Sequence, residues 1–369
     1  MPAVDWANVQ GPIFHPYPCP HARILLFAFG EATAGRGFLA AWLGRITTAA
    51  QDPFATPDPL ANLSITWAGL GALGAVDGEA AIRFPDEFVA GPEADILGDY
   101  GESAPEGWWN RRFRTRDIHL ALHLYARSGD ALEAATADLR RDAAAAGMRE
   151  LLPLEGGEGA LTGRWLSDDG RELHFGYRDG FSQPAINWED APGRDDLLDF
   201  RHVLLGHASD DVPSSPRRAP WADIARDGAY AVVRWLSQDV AGFERYLTEN
   251  AALIAPDDLP LPEAREFLAA KIMGRWRDGT PLVLSPDKPA PALATQDFKY
   301  ENDQDGMSCP LAAHIRIANH RDDSLSASNR PMFGIGLPRI VRRGMSYGPK
   351  YTGDGADDGI DRGIVGIFL

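Results

Sequence analysis

The chain is poor in cysteine: Cys19 and Cys309 are its only two, 290 positions apart in 369 residues. That excludes a disulfide-stapled scaffold and makes a reducing compartment the default expectation. Long apolar runs are also missing, none approaching the roughly 18 residues of a membrane span. Basic residues are scarce against acidic ones, 36 Lys and Arg to 53 Asp and Glu, a formal charge of −17. Such a balance argues against nucleic acid or an anionic membrane as partner. The opening Met1-Pro2-Ala3-Val4-Asp5-Trp6 has no basic start and no apolar stretch after it, so no export signal is read there and a cytoplasmic location is expected. What is present is an ordinary globular composition, 44% hydrophobic and 24% charged, with room for about two domains.

Hydrophobic periodicity gives the order of elements. Residues 23–29 (RILLFAF) form a short apolar run read as a buried strand. Over 31–48 the period changes, and Phe38, Leu39, Trp42, Leu43 and Ile46 fall on one helical face. Residues 63–70 (LSITWAGL) read as a strand, 77–106 as irregular surface structure rich in Pro, Gly and acid, and 117–125 (DIHLALHLY) as an alternating strand. An Ala-rich helix follows over 130–148. Strand, helix, strand, strand, helix, strand is the ferredoxin-like order of an α+β fold. A second copy of that grammar begins after loops at 187–196 and 209–220. It holds a strand at 228–236, a helix at 239–253 aligning Val240, Phe243, Tyr246 and Leu247, and a further helix at 262–276. A Pro-rich excursion at 279–299 and two closing strands at 339–342 and 362–369 complete it.

Three short motifs carry chemistry. Gly176-Tyr177-Arg178-Asp179-Gly180-Phe181-Ser182-Gln183-Pro184 holds one carboxylate between glycines. A bare Asp-Gly is usually only a turn, but this frame is more elaborate. Cys309-Pro310-Leu311-Ala312-Ala313-His314-Ile315-Arg316 surrounds an imidazole with small and apolar groups. On position alone, a single His among nine is more often structural. Val341-Arg342-Arg343-Gly344 offers two guanidiniums; if extended, it points them to opposite sides.

At these residues the chain resembles the dye-decolourising peroxidases, whose signature is a Gly-x-x-Asp-Gly turn with a downstream haem-ligating His and an Arg. The frame Cys-Pro-x-x-Ala-His-Ile-Arg is matched at Cys309, Pro310, Ala313, His314, Ile315 and Arg316. The family continues Asn-Pro-Arg; Asn319 and Arg321 match, whereas His320 replaces the proline and is the competing imidazole. Val9-Gln10-Gly11, Gly228-Ala229-Tyr230 and 269–276 (AAKIMGRW) extend the resemblance along the chain.

The resemblance implies an α+β fold of two ferredoxin-like domains, of the dimeric α+β barrel type, forming a β-sandwich or barrel with peripheral helices. The domains are placed at 1–190, with the Asp179 turn near its end, and 191–369, which binds haem. It implies one haem b per chain, held non-covalently since Cys-x-x-Cys-His is absent. His314 becomes the axial ligand of the iron, Asp179 the distal acid–base group and Arg342 the distal cation, the last two also flanking the cofactor. Such a site uses hydrogen peroxide to oxidise organic donors such as anthraquinone dyes and phenols. The family continues past the equivalent of Ile367-Phe368-Leu369 with a helix and a strand. The C-terminal domain is therefore expected to lack both, by truncation or because a second polypeptide completes it. A homo-oligomer is left open, as is the physiological reductant.

Two other readings compete. A haem-binding protein with little turnover would need only His314. A zinc hydrolase would need His119 and His123 on one helical face, but the alternation around them makes a strand, where they stand about 13 Å apart. A carboxylate base stays competent in acid, where a distal imidazole would protonate. Peroxide-dependent dye oxidation is therefore expected to be fastest at acidic pH. A rate maximum well above neutrality in the pH profile would remove Asp179 from that role.

Overall fold

The computed structural model describes residues 4–77, 80, 84–153, 159–194, 197–207, 224–254, 259–319, 321–322, 339–353 and 355–369. Its central strand is β1 (His21–Ala28), buried from Ala22 onward. Side chains alternate across a strand, and here both faces are covered. Leu25 and Phe27 join Phe38, Trp42, Leu132 and Leu139 in one core cluster. Ile24, Leu26 and Ala28 join Tyr347, Val365 and Ile367, from the far end of the chain, in another. Burial on both sides is why this stretch reads as a continuous apolar run and does not alternate.

The first ladder runs β1, α1 (Ala32–Trp42), β2 (Leu60–Ile65), β3 (Leu120–Ala126), α2 (Gly129–Ala145) and β4 (Arg149–Leu151). β3 pairs antiparallel with β1 and β2, and β4 pairs with the second half of β1. The spatial order β4-β1-β3-β2 is that of a ferredoxin-like unit. β5 (Leu161–Arg164) pairs with the first half of β1, on the same edge as β4. The later part of the chain contributes β6 (Val232–Ser237), α3 (Val240–Asn250), α4 (Leu261–Met273), α5 (His314–Ala318), β7 (Met345–Tyr347) and β8 (Gly363–Phe368). β8 lies between β6 and β7.

One pairing, Arg164 with Ser346, joins β5 to β7. The strands thus form one eight-stranded sheet in the order β2-β3-β1-β5-β7-β8-β6, with β4 beside β1. β1 and β8 are separated by two strands, so contact between their side chains requires the sheet to curl back on itself. The architecture is α+β, with helices outside the curled sheet.

Local chemistry sets the element ends. Ser128 caps α2, its hydroxyl accepting from the Ala131 N–H at 3.2 Å, and Leu132, Ala135, Thr136, Leu139 and Ala143 form its buried stripe. Arg23 on β1 reaches Glu133 of α2 through two hydrogen bonds of 2.9 and 2.6 Å.

Several expected elements differ. The strand expected at 63–70 stops at Ile65, because Thr66 accepts from the Gly69 N–H at 3.0 Å and caps a short helix, Trp67–Ala72. Gly69 passes so close to β3 that a Cβ there would lie 2.1 Å from the His119 carbonyl. Leu43 and Tyr246, expected on buried faces, are 74% and 50% exposed. For Leu43 the cause is a 3-10 turn at Leu43–Arg45, which rotates the chain off the helical stripe. Within 77–106 there are short helices, Asp86–Ala90 and Ala94–Leu97. Residues 339–342 form no ladder strand; pairing is confined to an isolated bridge from Arg342 to Phe368. The loop expected at 209–220 and His320 lie outside the described residues.

Cys19 and Cys309 are free and buried. Among the described residues no helix is long and apolar enough to cross a membrane. His119 and His123 are both engaged apart from any metal. His119 Nδ1 accepts from the Phe29 N–H at 2.9 Å, and His123 lies 3.2 Å from the Ser64 hydroxyl, its pKa pushed down to about 4 by burial.

Leu122 is fully buried in the first core cluster. Leu122→Ala should cost about 2–5 kcal/mol, read from the urea midpoint. A loss below about 1 kcal/mol would mean that the site collapses around the smaller side chain.

Candidate functional site

Asp179 sits in a segment pinned by backbone bonds on both flanks. The Leu173 and Gly176 N–H groups bond the Tyr177 and Leu173 carbonyls at 3.0 and 2.8 Å, closing a tight turn. The Arg178 N–H donates to Arg277 O at 2.8 Å and the Asp179 N–H to Arg171 O at 2.7 Å. Gly176 takes φ +80°, and a Cβ there would lie 2.6 Å from Arg277 Nη1. The positive φ favours glycine there, and a Cβ would also displace the end of the Arg277 side chain.

Arg342 meets this carboxylate: Nη1 lies 3.0 Å from both Asp179 oxygens. Nη2 donates to Ser182 O at 3.2 Å. The backbone of Arg342 is held by Gln183, whose Oε1 accepts from the Arg342 N–H and whose Nε2 donates to the Arg342 carbonyl, both at 3.1 Å. Arg343 turns the other way, donating to Pro12 O at 2.7 Å and Phe14 O at 3.3 Å. Burial pushes its pKa down to about 10. The two adjacent arginines thus point apart, and Arg342 is the one beside Asp179.

His314 is the first residue of α5, following the buried Ala313. Its pKa is lowered by burial first and by the Arg342 charge second, with Asp179 opposing both. The charges of Asp179 and Arg342 thus both reach this ring, and burial and the Arg342 charge favour its neutral form, the form that binds a metal. Among the described residues no group hydrogen-bonds the ring, and the residue keeps an exposed surface.

A cavity of about 640 Å³ opens on the Asp179 and Arg342 side, within the usual range of ligand pockets. Phe14, Tyr17, Trp165 and Trp188 are among its walls; His314 is not.

Sequence reading missed what holds α5 in place. Arg316 is fully buried and donates to Asp303 Oδ2 at 3.0 Å, Cys309 O at 2.7 Å and Asp303 O at 2.8 Å. Asp303 also accepts the Ser308 and Cys309 N–H groups at 2.7 and 2.9 Å. The whole turn before His314 is therefore wrapped around one carboxylate. Arg316 stood in the motif, but nothing local tied it to an Asp thirteen residues upstream. The Gln183 clamp was equally hidden, its partner lying 159 residues away.

Solved structures share this curled α+β architecture. The chain superposes over its full length on an ancestral D-type dye-decolourising peroxidase, with a TM-score of 0.81, 28% identity and 80% of that chain covered. A dye-decolourising peroxidase solved with 2,6-dimethoxyphenol gives a TM-score of 0.80 at 26% identity, over 99% of this chain and 81% of the other. Among curated proteins, the dye-decolorizing peroxidase of Mycena epipterygia is 29% identical over 98% of this chain and 68% of its own length. That of Exidia glandulosa is 27% identical over 94% and 66%. The chain spans about two-thirds of the length of these curated relatives. No family model matches it.

The fold and these relatives place the chain in the peroxidase class of oxidoreductases. In sequence and in fold it is similar to the dye-decolourising peroxidases.

Asp303→Ala would leave the buried Cys309 N–H, the half-buried Ser308 N–H and the buried Arg316 guanidinium short of an acceptor. It should cost at least about 2 kcal/mol in a urea titration. An unchanged midpoint would show that the carboxylate does not anchor α5.

Proposed function

We propose that this chain is a haem b peroxidase that uses hydrogen peroxide to oxidise organic donors such as anthraquinone dyes and phenols. The observation that carries the reading is the Arg342–Asp179 contact of 3.0 Å within electrostatic reach of the His314 imidazole, which has no hydrogen bond among the described residues. The residues present fit a haem. His314 offers a neutral nitrogen with no competing hydrogen bond among the described residues, and α5 is fixed from behind by Arg316 and Asp303. No cysteine stands in a Cys-x-x-Cys-His frame, so the group would be held without covalent bonds. When bound, haem supplies the redox chemistry of peroxide reduction and donor oxidation.

The side chains supply proton transfer and charge. Asp179, partly exposed beside the cavity, accepts a proton from one peroxide oxygen and returns it to the other, which leaves as water. Arg342 remains cationic and balances negative charge on the departing oxygen. It also holds the Asp179 carboxylate in one orientation. The ion pair is about one-third exposed on each side, where such pairs add under about 1 kcal/mol to stability. Its position is better accounted for by chemistry than by folding. Residues 1–190 and 191–369 are taken as the two domains, the Asp179 turn reaching from the first toward the His314 segment of the second.

Asp179→Ala and Arg342→Ala should retain a Soret band but slow its first change after one equivalent of peroxide by about 10²–10³-fold. His314→Ala should instead lose haem on gel filtration. Unchanged Soret absorbance and iron ligation in that variant would overturn the axial assignment. Full haem binding by the wild-type chain without peroxide-dependent dye oxidation would reduce the reading to a haem carrier.

A further inference from the structure

The segment carrying Asp179 and the segment carrying Arg342 are fastened to each other at two points. At one, Arg342 meets Asp179. At the other, five residues away on each segment, His174 Nε2 lies 2.7 Å from the Tyr347 carbonyl oxygen. Residue 179 thus faces 342 and residue 174 faces 347, so the two segments pass in opposite directions. His174 occupies the turn of a small hairpin, in which residues 172 and 178 bridge and the Asp179 N–H donates to Arg171 O. Whatever holds that turn therefore also holds Asp179.

The two fastenings differ in kind. The ion pair is about one-third exposed on each side, where water screens it. His174 is 6% exposed, and a hydrogen bond shut away from water is costly to break. The bond also fixes the state of the ring. A carbonyl only accepts, so Nε2 carries the proton and a neutral ring leaves Nδ1 bare. Nδ1 is buried and has no partner among the described residues. Burial is the main influence on the ring and lowers its pKa; Arg362 adds to this, while the Tyr347 bond and Glu172 oppose it. Both charged neighbours are engaged elsewhere, Arg362 with Asp358 at 2.9 and 2.6 Å and Glu172 with Lys350. A proton on Nδ1 would create a buried donor and a buried positive charge with nothing to receive them.

We propose that His174 is a positioning residue for peroxide activation, its Nε2–H bond to Tyr347 holding the Asp179 turn against the Arg342 segment only while the ring is neutral. This rests on the peroxidase reading above and extends it to what keeps its two distal groups together. With the ring's pKa held below its ordinary value, the fastening is complete at neutral pH and is lost as pH falls through that lowered value. The acid side of the rate profile thereby has an origin separate from protonation of the Asp179 carboxylate.

Two substitutions test this. His174→Gln keeps an N–H donor but takes up no proton, whereas His174→Phe keeps a ring and removes the donor. In haem-loaded protein, the first Soret change after peroxide should be about tenfold slower in His174→Phe, the scale of one buried hydrogen bond, with the donor KM unchanged. His174→Gln should recover most of that rate, and its acid fall-off should lie at lower pH than that of the wild type. In haem-free protein, hydrogen exchange over residues 173–180 should be faster in His174→Phe and close to wild type in His174→Gln. A wild-type rate in His174→Phe, or a His174→Gln variant equally slow, overturns the positioning role. Coincident acid limbs in the wild type and His174→Gln overturn the dependence on a neutral ring. A wild-type chain that gains no Soret band with haem sinks the haem reading instead, and the exchange comparison then decides the fastening. If His174→Phe does not fold, the acid limb of His174→Gln decides.

Discussion

The site depends on how the extended segment 341–343 is held from both sides. Backbone groups of successive residues in an extended chain point to opposite edges, and here both edges are occupied. Val341 exchanges two bonds with Leu369, at 2.9 and 2.8 Å, and the Arg343 N–H donates to Ile367 O at 2.8 Å. Between them, Arg342 offers its N–H and carbonyl to the other edge, where the Gln183 amide takes both. Gln183 thereby does for one residue what a neighbouring strand would do. With the backbone fixed, side-chain alternation sends Arg342 toward Asp179 and Arg343 toward the Pro12 and Phe14 carbonyls.

That arrangement relies in turn on β1. Its two buried faces form a wall shared by the first ladder's helices and by β8, so the last residues of the chain cannot move independently of the first strand. The contacts of Ile24 and Leu26 with Val365 and Ile367 carry the hydrophobic stabilisation that the half-exposed ion pair cannot provide. On the other side of the site, the fully buried Arg316 and its carboxylate partner fix α5 by a different means, a polar network closed on backbone groups. One flank is thus set by packing and the other by hydrogen bonds.

Much of the fold was legible in the chain. The alanine richness of 130–148, the apolar run at 23–29 and the alternation at 117–125 are local signals, and each became the element expected. Misreadings fell where a cap or turn overrode periodicity. Thr66 turned an apolar stretch into a helix, and the 3-10 turn at Leu43–Arg45 rolled Leu43 out to solvent. The motif residues were equally visible, because the glycines around Asp179 and the small residues before His314 shape backbone and space locally.

Sequence by itself singled out one carboxylate and one imidazole by their local frames and offered two adjacent guanidiniums, of which the family resemblance selected Arg342. Only the tertiary structure shows the contact itself, Arg342 meeting Asp179 while Arg343 turns to the Pro12 and Phe14 carbonyls. It also decided that Gln183 clamps that arginine and that Asp303 anchors the His314 helix through Arg316. The physical reason is range: a glycine's backbone freedom or a helical stripe is a property of neighbours in the chain. A hydrogen bond between residues far apart in the chain is a property of whatever the curled sheet brings together.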